Sequence, residues 1–217
     1  MKKIKFLLMS MVAAVLVSCG TTNTVPITGR KQTLMVSDGE VLSLSNQQYQ
    51  EFMKTAKVST DATKTAMVKR VGQNLANAVV SYLNANGLQN DVQNYKWTFN
   101  LVADNQANAW CMPGGLIVVY EGILPITQDE SSLAIVLGHE IAHAVARHSA
   151  EQMSTQIKQQ YGVQGIGALA SIFGVGSNTI AIGQAAASMG FNFANLKYSR
   201  DNESEADYMG LIFAAMA

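Results

Sequence analysis

Cysteine is nearly absent: the 217 residues hold two, Cys19 and Cys111, which excludes a disulfide framework. Three prolines and a 7% aromatic share argue against an all-β chain and favour a helix-rich one. Charge of either sign is in balance, with Lys+Arg at 15 and Asp+Glu at 15, so there is no basic footprint for nucleic acid. Histidine is scarce too, with three in all. No apolar run reaches bilayer-spanning length: the longest near the N-terminus, Ile4 to Val17, is too short to span comfortably.

That run follows Lys2, Lys3 and Lys5 and ends in Leu16-Val17-Ser18-Cys19, so residues 1–18 read as an export signal. A small residue ahead of cysteine resembles a bacterial lipobox, which makes Cys19 the expected lipidation site. Removing the signal leaves 12 basic against 15 acidic residues. Residues 19–35, polar with Pro26 and Gly29, read as a lipidated tether to a domain over 36–217.

Within the domain, Ser37-Asp38-Gly39-Glu40 has the form of a capping box and predicts a helix to about Lys57. Thr60 to Asn86 predicts a second helix, with Met67, Val71, Leu75, Ala78, Val79 and Tyr82 on one face and Asn86-Gly87 as the stop. Trp97–Val102, Trp110–Met112 and Leu116–Tyr120 read as strands, the last two separated by Pro113-Gly114-Gly115. Thr127-Gln128-Asp129-Glu130 is a second capping-box pattern, opening a helix to about Ser154. Leu133, Ile135, Val136, Leu137, Ile141 and Val145 make that helix apolar on most sides, which implies burial. Gly162 to Met189 reads as a flexible insertion or a pair of closely packed small-residue helices; its Gly-x-Gly pieces follow no strand, which argues against nucleotide binding.

The chemistry sits in His139-Glu140-Ile141-Ala142-His143, an H-E-x-x-H pattern. Residues four apart on a helix share a face, so two imidazoles reach one Zn²⁺ from one side. Glu140, about 100° round the helix, is placed to act as general base on a water at the metal rather than as a ligand. Two imidazoles and a carboxylate on an apolar helix are costly to bury without a partner, and a metal is the obvious one. Gly138 lets another backbone come close. A catalytic zinc needs a third protein ligand and an open position. Glu203 and Asp207, again four apart, supply a coherent pair: Glu203 as ligand, and Asp207 accepting the free ring N–H of a zinc histidine, with Glu205 pointing elsewhere. Spacing alone equally allows a solvated acidic helix start. His148, half a revolution from His139 on an ideal helix, is a poor ligand; Arg147 and His148 read as structural or surface groups.

Taken together, Asn108-Ala109-Trp110-Cys111-Met112-Pro113-Gly114-Gly115, the H-E-x-x-H run with Arg147-His148, and Ser199-Arg200 with Glu203 to Asp207 resemble metallopeptidase family 48, in particular its periplasmic lipoprotein branch. That family includes the HtpX heat-shock proteases, the CAAX prenyl proteases and the mitochondrial Oma-type proteases. The resemblance runs from about Val36 to the end. It implies an α+β, mainly helical zincin (gluzincin) fold with a small mixed sheet and a long buried active-site helix. It implies one Zn²⁺ per chain on His139, His143 and Glu203, Glu140 as base, and Asp207 behind the ligands. It also implies that Asn108, Ala109, Trp110, Cys111 and Met112 form an edge strand to which substrate backbone adds; Cys111 reads as a small packed hydrophobe. Family members usually continue past the Ala-Asp motif, so the resemblance implies a chain incomplete at Ala217, with transition-state donors further on.

The expected function is a zinc endopeptidase in envelope protein quality control, acting on protein or peptide substrates, lipid-anchored and facing the periplasm. The competing reading is a membrane-tethered chaperone or binding protein retaining the fold with little or no turnover; a non-proteolytic metal hydrolase is a third, against which the edge-strand motif argues.

Overall fold

The computed structural model describes residues 21–159 and 190–217. The expected signal, Cys19 and the Gly/Ala-rich stretch from Gly162 to Met189 lie outside the described residues.

The expected tether is folded. Strands β1 (Thr21–Thr24) and β2 (Lys31–Leu34) pair antiparallel, and the loop between them turns through left-handed Ile27 and Gly29. Val25 at the turn is 1% exposed and joins the main core. A polar segment read as a linker is therefore held down by buried Val25 and Leu34 and by the side-chain bonds described below.

Helix α1 (Asp38–Thr55) starts on the expected capping box, with both Ser37 and Glu40 bonds made. Helix α2 (Ala62–Ala85) is capped by Asp61 and ends before Gly87, whose φ of +75° suits glycine. Of its expected face, Val71, Leu75, Ala78 and Val79 are buried. A short turn, α3 (Gln89–Val92), leads to a three-stranded sheet of β3 (Thr98–Val102), β4 (Ala109–Met112) and β5 (Leu116–Tyr120). The order is β3-β5-β4, with β5 parallel to β3 and antiparallel to β4, so the sheet is mixed and β4 is an edge. Gly115, left-handed at +78°, lies against the Trp97 ring, where an added Cβ would come within 2.6 Å.

Side chains alternate across the sheet. Ile117 and Val119 enter the core shared by α2 and the helices over residues 130–145 and 200–216, whereas Leu116, Val118 and Tyr120 face α1, β2 and the segment 150–157. All five residues of β5 are buried, as a strand covered on both faces requires.

The helix carrying the motif departs from expectation at both ends. Thr127 closes a short helix, α4 (Leu124–Thr127); after left-handed Gln128, it is Asp129 whose side chain accepts the Ser132 N–H and opens α5 (Glu130–Val145). Ile135, expected inside, is 49% exposed. The helix does not run through to Ser154. Arg147 adopts φ +58°, breaking it, and α6 (148–159) sets off on a new line. Ion pairs from Arg147 to Asp38 (2.8 Å) and Asp91 (3.2 Å) hold this unfavourable backbone in place. Helix α7 (Arg200–Met216), capped by Ser199, lies along α5.

The α5–α7 contact is glycine to glycine. A Cβ on Gly138 would come within 2.7 Å of the Gly210 carbonyl oxygen, and one on Gly210 within 2.6 Å of the His139 nitrogen. No described helix is long and apolar enough to cross a membrane. Gly210→Ala is expected to lower stability by about 1–3 kcal/mol through overpacking, read as a drop in urea midpoint. Gly39→Ala, with open space at its Cβ, is the control that leaves the midpoint level or raises it.

Candidate metal centre

Helix α5 presents His139 and His143 one turn apart, and the glycine contact brings the first turns of α7 over them. His139 Nε2 lies 3.0 Å from His143 Nε2. Glu203 Oε2 lies 3.3 Å from the first nitrogen and 3.7 Å from the second. Four ligands held tetrahedrally at zinc distances stand about 3.3 Å from one another, so the three atoms are spaced as a shared ion would space them. These are the three residues among those described whose donor atoms converge as a metal-binding group.

The donor chemistry also fits. Asp207 Oδ1 is 2.8 Å from His139 Nδ1, so that nitrogen carries the proton and Nε2 keeps its lone pair. A bare imidazole nitrogen, a second imidazole nitrogen and a carboxylate oxygen then crowd one point, an arrangement a divalent cation relieves. The pocket is closed on one side and open on the other: the His143 side chain is 3% exposed, those of His139 and Glu203 24% and 45%. Burial lowers the His143 pKa to about 2, with His148 and His139 nearby adding to the fall, so its ring is neutral, as a ligand must be.

Glu140 is half-buried. Burial raises its carboxyl to about 8, and the Glu203 carboxylate adds to the rise; a cation between His139, His143 and Glu203 acts in the opposite direction. The same Glu140 charge helps to raise the buried Cys111 thiol, chiefly raised by desolvation, because β4 runs beside α5. All four β4 residues are buried, and the Asn108 carbonyl accepts a bond from Tyr120 N at 3.0 Å. The sequence-predicted residues 139, 140, 143, 203 and 207 are thus brought together, with 108–112 alongside; Cys19 lies outside the described residues.

The structure shows what surrounds the ligand cluster. His148 is 1% exposed, and its Nδ1 is 2.8 Å from His143 Nδ1. The ideal-helix argument pointed it away; the break at Arg147 turns it inward. Its Nε2 is 2.9 Å from Glu205 Oε2. Glu205 does point away from the metal site, as expected, but into a network: Arg30 Nε donates to it at 2.8 Å, and the Thr28 hydroxyl also donates to it. Arg30 bridges in addition to Glu151 at 2.7 and 2.9 Å. Tyr198 stacks on His143 with ring centres 4.1 Å apart and bonds to Ser149 at 2.8 Å. The sequence signals for His148 were its place in the Arg147-His148 pair of the family pattern and the fall of all three histidines within ten residues.

Desolvation pushes Glu205 upward, but hydrogen bonds from Arg30, Thr28 and His148 outweigh it and hold the carboxyl at about 2. A depressed carboxyl contributes stability above its unfolded pKa, near 4.3, and loses it as pH falls towards the folded value. Urea unfolding between pH 6 and pH 2.5 is therefore expected to show a steeper acid loss in the parent chain than in Glu205→Gln.

Comparison with known proteins gives the chain relatives. The mitochondrial metalloendopeptidase OMA1 of Schizosaccharomyces pombe is 37% identical over 123 residues, 56% of this chain and 34% of that protein. The mitochondrial metalloendopeptidase OMA1 of Bos taurus is 31% identical over 196 residues, 88% of this chain and 36% of the relative. The beta-barrel assembly-enhancing protease of Escherichia coli is 25% identical over 194 residues, again 88% of this chain and 37% of the relative. The chain thus spans about a third of the length of these curated relatives. The profile of Peptidase family M48 matches residues 62–217, the segment that carries both α5 and α7, and the chain belongs to that family.

Proposed function

We propose that the chain is a zinc-dependent endopeptidase of the gluzincin type, with His139, His143 and Glu203 as ligands, Glu140 as general base and Asp207 orienting His139. The observation that carries this reading is the convergence of two α5 nitrogens and one α7 oxygen on a single point beside a half-buried carboxylate. Zinc, when bound, supplies the Lewis acidity that brings a water's ionisation near neutral pH.

The chain's own groups do the rest. Glu140 takes the proton of the attacking water and delivers it to the leaving amine. Asp207 keeps His139 in the tautomer that faces the ligand cluster. The β4 edge, Ala109–Met112 extended by Asn108, receives substrate backbone as an added strand, supported by its place at the sheet margin beside α5. Backbone pairing of this kind selects for extended, unfolded segments more than for sequence, which suits envelope protein quality control. Anchoring of the chain through lipid on Cys19 would hold it at a bacterial envelope membrane, facing the periplasm. The names of the relatives, mitochondrial metalloendopeptidase and beta-barrel assembly-enhancing protease, accord with work at a membrane.

Purified full-length chain in detergent is expected to hold about one zinc, by atomic absorption. Glu140→Gln should retain that metal while casein cleavage drops by roughly 10²-fold or more. Turnover surviving in the zinc-loaded variant would defeat the mechanism. Cys19→Ser is expected to move the protein from the membrane fraction to the soluble one; continued sedimentation with membranes counts against the anchor.

A further inference from the structure

We propose that His148 is a positioning residue that fixes the tautomer of His143, and that the N-terminal hairpin holds it in that role through Arg30 and Glu205. The proposal rests on the zinc reading above, since its purpose is to aim His143 Nε2 at the ligand cluster.

Protons along one line of contacts can be assigned one by one. Glu205 Oε2 faces His148 Nε2 at 2.9 Å, and His148 Nδ1 faces His143 Nδ1 at 2.8 Å. Each contact needs one proton. Glu205 is a carboxylate already receiving Arg30 Nε and the Thr28 hydroxyl, so the proton in the first contact belongs to His148 Nε2. A neutral His148 then has a lone pair on Nδ1, and the proton of the second contact belongs to His143 Nδ1. That leaves His143 Nε2 bare, facing His139 Nε2 and Glu203. The opposite arrangement sets a bare His148 nitrogen against a carboxylate and puts a proton on the His143 nitrogen that must bind the ion. His148 itself is no ligand, because both its nitrogens are engaged.

The two metal histidines are thus oriented by different means. His139 is set by Asp207, whose side chain is 71% exposed. His143 is set by a buried histidine whose far nitrogen bonds Glu205, and Glu205 is in turn gripped by residues 28 and 30. The loop between β1 and β2 therefore acts on the metal site without touching it. Gln32 adds to the grip, its side-chain amide donating to the Ala146 carbonyl at 2.9 Å where α5 breaks.

The test is ring-nitrogen NMR on full-length, zinc-loaded protein labelled with ¹⁵N-histidine. Three histidines make the spectrum assignable by single substitution. The expected result is a protonated Nδ1 on His143, with His148 protonated at Nε2 and bare at Nδ1. A proton on His148 Nδ1 in the zinc-loaded chain overturns the proposal while leaving the zinc reading intact; a parent chain that takes up no zinc overturns both. Affinity measured by chelator competition gives an independent arm. His148→Phe, which keeps an aromatic ring in the buried slot, is expected to weaken zinc binding roughly 10- to 100-fold, and the cobalt-substituted chain should show an altered visible spectrum. Glu205→Ala, at the margin of the core, is expected to weaken binding in the same direction and serves where His148→Phe does not fold. Parent-like affinity and cobalt spectrum in either folded variant would overturn the relay.

Discussion

Everything at the candidate site depends on how closely α5 and α7 approach. Two helices bearing ordinary side chains pack 8–10 Å apart; here Gly138 and Gly210 remove the side chains at the crossing, and backbone meets backbone. Gly138 immediately precedes His139, and Gly210 sits about one turn beyond Asp207 and two beyond Glu203. The crossing therefore sets the distance between the two imidazoles and both carboxylates. Short side chains such as those of Asp207 and Glu203 reach the histidines only because nothing stands between the helices.

Around that contact the molecule is built in layers that close one side of the site and leave the other open. The sheet and α2 supply the apolar support under α5, with Leu133, Leu137 and Ile141 wholly buried on the inner side. His143 lies towards this interior, and His139 and Glu203 lie towards solvent. A buried imidazole takes its hydrogen-bond partner from other buried groups, and a more exposed one can pair with a surface carboxylate. The contrast between His148 and Asp207 follows from that difference in depth.

The chain break at Arg147 and the hairpin at the N-terminus belong to the same arrangement. An uninterrupted α5 would carry His148 away from His143 and leave the latter's Nδ1 without a partner in the core. The left-handed residue is kept by charge pairing to α1 and α3, and the new direction of α6 brings Glu151 within reach of Arg30. Arg30 then joins β2's approach, α6 and α7 through two carboxylates. Local backbone strain at Arg147 is offset by the two ion pairs that its own guanidinium makes.

Periodicity and capping carried the secondary structure. The Ser37 box, the α2 apolar face, Asn86-Gly87 and all three central strands could be read locally, because short-range sterics and hydrogen bonding decide them. The i, i+4 pairs at 139/143 and 203/207 likewise declared their shared faces, and Gly138 hinted at a close neighbour. Tertiary structure alone decided what those faces meet. It placed Asp129 rather than Thr127 at the start of α5, broke the helix at Arg147 and turned His148 inward. It folded residues 21–34 onto the domain through Val25, Thr28 and Arg30, all of them bonded or packed against partners more than a hundred residues away or in the shared core. A local pattern encodes a helix and its faces; a contact between distant segments has no local signature, because its free energy exists only once the chain has closed.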